Sequence, residues 1–150
     1  MFKKIFTKLL AVVIFMGMVA NPALAAKTTP PSEESTSNII GIRSLLYIQS
    51  METIISDNGD GTVDLFGTTT AKTIIDEVGV KLFLQKWDGS SWVDIKTSDT
   101  FKEYNHYLAE GVYACSVEPG YYYQAKGVHT ASNDGVPEQE ESFSQYKLIE

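Results

Sequence analysis

From residue 39 to residue 150, apolar and polar positions alternate over short runs broken by Gly, Asp and Asn. No long window repeats its apolar residues at helical spacing. A period of two sends successive side chains to opposite faces of a strand, so the pattern predicts an all-β domain. The first strand is expected over 44–55. The loop Asp57-Asn58-Gly59-Asp60-Gly61 follows, and 62–70 returns as its hairpin partner, because Asn-Gly and Asp-Gly tolerate positive φ at low cost. Residues 72–77 read as a short linker with room for one helical turn. In 80–87, Val80, Leu82 and Leu84 point one way, while Lys81, Phe83, Gln85 and Trp87 point the other. A turn at 88–91 leads to a strand over 92–97. Residues 101–108 fit either a strand or an irregular crossing. Strands are expected at 111–118 and 121–130, a polar loop at 131–135, and a last strand at 142–148. About seven or eight short strands in roughly 110 residues predict one antiparallel β-sandwich, large enough for a modest core.

The segment before that pattern has a different character. Lys3, Lys4 and Lys8 precede or enter an apolar run from Leu9 to Met16, and Ala23-Leu24-Ala25 places small residues where a signal peptidase reads. Residues 1–25 are therefore expected to be a secretory signal peptide. The apolar run is short for a membrane span, and no cysteine follows the cleavage point to carry a lipid. Residues 26–38 are polar and rich in Pro, Ser and Thr, as in a disordered linker. The domain is then 39–150, and the expected location is extracellular, with no membrane anchor after cleavage.

Removing Lys3, Lys4 and Lys8 leaves nine cations against 19 acidic residues, a charge near −10. Arg43 is the one arginine. Phosphate neutralisation needs clustered cations, so nucleic acid is not an expected partner. The single cysteine, Cys115, excludes an internal disulfide and fits a buried strand residue better than a reactive thiol.

Glu110-Gly111-Val112-Tyr113-Ala114-Cys115 resembles the tyrosine corner of immunoglobulin-type sandwiches, in which a Tyr hydroxyl bonds the backbone at a crossover. The matching inter-sheet disulfide is missing, as it is in fibronectin-type sandwiches. A second resemblance runs through Val-Lys-Leu-Phe-Leu-Gln-Lys-Trp (80–87), Trp-Val-Asp-Ile (92–95), Gly-Val-Tyr (111–113), Gly-Tyr-Tyr-Tyr-Gln-Ala-Lys-Gly-Val-His (120–129) and the acidic stretch 140–142. This order is similar to that of a family of short exported proteins of Gram-positive bacteria grouped as a domain of unknown function. The resemblance implies export and a β fold, and it carries over no catalytic residue.

Enzyme motifs are absent, so a non-catalytic interaction domain is expected, with no cofactor and with an extracellular protein or a glycan as partner. The candidate ligand-binding residues are Trp87, Trp92, Tyr121, Tyr122, Tyr123 and His129. Flat rings suit sugar stacking or a protein partner, and the same rings could instead fill the core. Tyr121 and Tyr123 share one strand face and Tyr122 takes the other. His129 reads as a strand-end histidine bonded to backbone, and a small enzyme or inhibitor built around it stays open. Residues 56–67 partly fit a calcium-loop template, with Asp57, Asp60 and Asp64 as weak ligands. Ser56 and Gly67 stand where that loop needs its first and last carboxylates, which favours a plain hairpin loop.

Overall fold

The computed structural model describes residues 45–150. The expected signal peptide and linker lie outside the described residues. The described chain is all-β: β1 (Ile48–Asp57), β2 (Thr62–Trp87), β3 (Trp92–Ser116), β4 (Tyr121–Asn133), β5 (Val136–Phe143) and β6 (Lys147–Ile149). These six strands form one antiparallel sheet in the order β1-β2-β4-β5, with β3 on β2 and β6 on β4. The expected seven or eight short strands are therefore six, two of them very long.

The difference lies mainly in β2 and β3. Residues 72–77, expected as a linker, run inside β2, and 101–108 run inside β3. The β-branched run Thr68-Thr69-Thr70, the pair Ile74-Ile75 and Val78 carry the strand past Lys72, Asp76 and Glu77. The ladder between β2 and β3 shifts register between Thr70 and Ile75, between Lys81 and Phe83, and between Leu84 and Gln85. Such bulges bend a strand and increase its twist. Farther on, the expected polar loop at 131–135 narrows to a turn at Asp134-Gly135, its first three residues being the end of β4, and Glu138, Glu140 and Glu141 lie in the body of β5.

Bending makes the sheet curl onto itself. The first half of β2 pairs with β1 and the end of β3, whereas its second half pairs with the start of β3 and with β4. Gly67 and Gly111 are register partners on the inner side of the curl. A Cβ on Gly67 would lie 2.7 Å from Leu82 Cδ2 and 2.8 Å from Val80 Cγ2, and one on Gly111 would lie 2.1 Å from the Phe101 ring. The missing side chains let the two halves of the hairpin approach.

Two apolar clusters fill the curl. Ile55, Val63, Leu65, Val80, Leu82 and Leu84 lead the larger one, joined by Cys115, Tyr123, Ala125 and Ile149. The smaller holds Ile48, Ala71, Ile75, Val78, Ala109 and Ala131. Val80, Leu82 and Leu84 are thus inward, as their alternation predicts.

Between β1 and β5 no backbone ladder forms, and side chains close the gap. The Glu138 carboxylate accepts hydrogen bonds from the backbone N–H groups of Leu46, Tyr47 (2.9 Å) and Ile48 (2.7 Å). Its pKa is lowered: burial pushes it up, but those three bonds and the charge of Lys72 outweigh burial.

Candidate functional site

The outer face of the layer made by β2, β3 and β4 carries the candidate site. Trp87 and Trp92 are register partners at the β2–β3 turn, and their ring centroids lie 5.4 Å apart. The turn is held by Asp88, whose carboxylate accepts the N–H groups of Ser90 and Ser91, which brings its pKa down to about 2. Trp92 meets Tyr146 at 6.1 Å, and Tyr146 meets the edge of Tyr122 at 5.7 Å. Four rings therefore form a chain across the face. Trp87 is nearly buried beneath its neighbours, while Trp92, Tyr122 and Tyr146 are half-exposed.

Below the rings lies a polar row set by the ladder, in which Gln85 pairs with Asp94 on one side and Gln124 on the other. Gln85 Nε2 donates to Asp94 Oδ1 at 2.6 Å, and Gln124 Nε2 donates to Gln85 Oε1 at 2.7 Å. Lys126 Nζ donates to Asp94 Oδ2 at 2.6 Å and sits 4.4 Å above the Phe83 ring. Asp94 is partly desolvated, but its bonds to Lys126 and Gln85 outweigh that and lower its pKa. Trp87 Nε1, Trp92 Nε1 and Gln124 Oε1 have no hydrogen-bond partner among the described residues. Covered polar atoms are almost always paired, so three such atoms in one cluster set it apart from an ordinary solvent face.

The structure brings Trp87, Trp92 and Tyr122 together and separates the other predicted residues from them. Tyr121 packs against the larger core cluster with Lys86 Nζ 3.5 Å from its ring centre. Tyr123 is buried in that core, and its hydroxyl donates to Glu118 O and accepts from Glu118 N–H. A tyrosine clamp on backbone thus exists at Tyr123, whereas the hydroxyl of the expected Tyr113 makes no such bond among the described residues. The residues that sequence reasoning missed are Tyr146, Gln85, Asp94, Gln124 and Lys126. Alternation already put Gln85 beside Trp87, but the partners across the sheet depend on register.

His129 is fully buried on the opposite, inner face, in the body of β4 and not at a strand end. Its partners are side chains and not backbone. Thr69 Oγ1 donates to Gly79 O at 2.9 Å, so it accepts from His129 Nδ1 at 2.8 Å. Nε2 is then the acceptor, with Ser142 Oγ at 2.7 Å and Thr53 Oγ1 at 3.3 Å. This Thr53–Thr69–His129–Ser142 layer lies between the two apolar clusters. A Ser–His pair suggests acyl transfer, but here a hydroxyl and not a carboxylate orients Nδ1, and both members are buried. Burial of the imidazole lowers its pKa from 6.5 to about 4, which keeps it neutral.

The weak calcium candidates do not converge. Asp57 accepts the N–H of Gly59, and Asp60 accepts both N–H and Oγ1 of Thr62, so each serves its own turn. Among the described residues, no three His, Cys, Asp or Glu side chains are grouped to hold a metal ion. The hairpin turn itself is as expected, with Gly59 and Gly61 at φ 76° and 80°.

No protein-family model matches this chain, and no curated protein matches it.

Proposed function

We propose that the protein is a non-catalytic binding domain that works outside the cell, and that the Trp87–Trp92–Tyr146–Tyr122 platform is its carbohydrate-binding face. One observation carries the reading: four rings linked at 5.4–6.1 Å stand over a covered Gln85–Gln124 pair that holds Asp94, beside Lys126, at the surface of the sheet. Sugar rings present apolar C–H faces and equatorial hydroxyls. Aromatic faces take the first, and amide and carboxylate groups take the second. Trp92, Tyr122 and Tyr146 supply the exposed stacking surface, with Asp94 and Lys126 at its edge. Export rests on the first 25 residues, and the sandwich reading of immunoglobulin or fibronectin type rests on the two facing halves of the curled sheet. The resemblance to short exported Gram-positive proteins agrees with both.

A glycan array probed with the exported chain tests the proposal. Binding to at least one glycan class is expected, with loss of about tenfold or more in affinity in Trp92→Ala and Tyr122→Ala, the scale of a removed stacking contact. No binding to any glycan, or equal binding by both variants, would overturn it.

A further inference from the structure

The opposite layer, made by β1, the first half of β2 and the end of β3, carries an exposed apolar row. Ile54 pairs with Phe66, and Phe66 pairs with Val112. The three side chains are 45%, 38% and 56% exposed, although an outward row on a sheet is normally polar. The row directly beside it on one side is Glu52, Thr68 and Glu110, and on the other side Asp64 lies between Ser56 and Ala114. No Lys or Arg stands in these rows. Among the described residues, none of the three carboxylates is in an ion pair.

We infer that this face docks a cationic, apolar peptide segment of a partner protein, with apolar side chains laid along Ile54–Phe66–Val112 and Lys or Arg on both flanks. Charge complementarity selects this occupant. A second copy would bring Glu52, Asp64 and Glu110 against their own kind, and like charges across an interface oppose association. An anionic lipid surface would be repelled for the same reason. A glycan would find one aromatic ring here, against four on the other layer. The face is separate from the aromatic platform, so this inference stands or falls independently of the carbohydrate reading.

The test uses the whole exported chain and two synthetic peptides of equal length, one alternating Leu with Lys and one alternating Leu with Glu. Backbone and methyl NMR shifts are followed during titration. Shifts confined to Ile54, Phe66, Val112 and their neighbours are expected with the Lys peptide only. Glu52→Gln combined with Glu110→Gln should weaken binding by about tenfold and flatten its salt dependence, because two of the three carboxylates that attract the peptide's lysines lose their charge. Phe66→Ser should weaken it similarly. These side chains are exposed, and an unchanged circular dichroism spectrum checks that the variants fold. Equal shifts with the Glu peptide, shifts centred elsewhere, or no shift with either peptide would overturn the inference. So would concentration-dependent self-association through the same residues, detected by sedimentation.

Discussion

Ser142 Oγ lies 2.7 Å from Nε2 of His129, and the hydroxyl of Thr53 lies 2.6 Å from that same Oγ. These contacts tie β1, β4 and β5 together across the side of the curl where no backbone ladder runs. The chain is ordered by its acceptors: Thr69 must give its proton to Gly79 O, so His129 presents a bare Nε2 to Ser142. Such a layer is stabilising only while the imidazole is neutral, because burial penalises the charged ring.

A pH dependence follows with a definite sign. The unfolded chain takes up a proton on His129 near 6.5, the folded one near 4. Stability is therefore full above pH 6.5 and falls as pH drops toward 4. The full loss is roughly 3 kcal/mol. Urea unfolding at pH 7.5 and pH 5 should show the decline, and the interval from 6.5 to 5 lies above the titration of Glu138. His129→Gln should be less stable at neutral pH and should lose the slope in that interval. An unchanged slope would refute the assignment.

Gly127 faces this layer, where a Cβ would lie 2.2 Å from Thr53 Oγ1 and 2.7 Å from His129 Nε2. Gly127→Ala is expected to cost about 1–3 kcal/mol through overpacking. Thr53→Ala removes the closer obstruction. The double variant should therefore lose less than the sum of the two single changes, as read from a double-mutant cycle by thermal or urea unfolding.

Glu138 caps three backbone donors at the entry to β1. Glu138→Gln keeps size but loses charge and one acceptor oxygen. A cost of about 1–2 kcal/mol is expected from weakened bonds to partly buried N–H groups. Hydrogen exchange should accelerate first at Leu46, Tyr47 and Ile48. Uniform acceleration over the sheet would argue that the contact is not local.

Tyr123→Phe removes the clamp on Glu118 and should cost about 1 kcal/mol, whereas Tyr113→Phe should cost less, since that hydroxyl has no backbone partner among the described residues. Unfolding of the two variants side by side distinguishes a corner at Tyr123 from one at Tyr113.

Cys115 is buried against the larger core cluster, and burial pushes its thiol pKa up. An aromatic disulfide reagent should react slowly at neutral pH and rapidly in denaturant. Fast labelling of the folded chain, or a disulfide dimer without denaturant, would contradict this.

Much of the local reading was legible because alternation is a local property. Val80, Leu82 and Leu84 face the core and Phe83, Gln85 and Trp87 take the opposite face of the strand, as their spacing predicts, although Gln85 and Trp87 are covered there by neighbouring side chains, and Tyr122 lies opposite Tyr121 and Tyr123. The turn at 57–61 follows from its glycines and asparagine. The misread segments share a cause. Charged residues at 72, 76 and 77 look like a break, yet in an antiparallel sheet they can ride the exposed face of a strand that continues.

The sequence alone therefore determined the class of fold, the facing of most side chains and several of its turns. The tertiary structure decided that β2 and β3 run unbroken and curl. It also decided that His129 joins Thr53, Thr69 and Ser142, that Tyr146 completes the ring platform, and that Ile54, Phe66 and Val112 form one row. Each of these depends on which residue stands opposite which across the sheet. A period of two fixes the face a side chain takes, but the neighbour it meets there comes from register, bulges and curl, and those are set by contacts far apart in the chain.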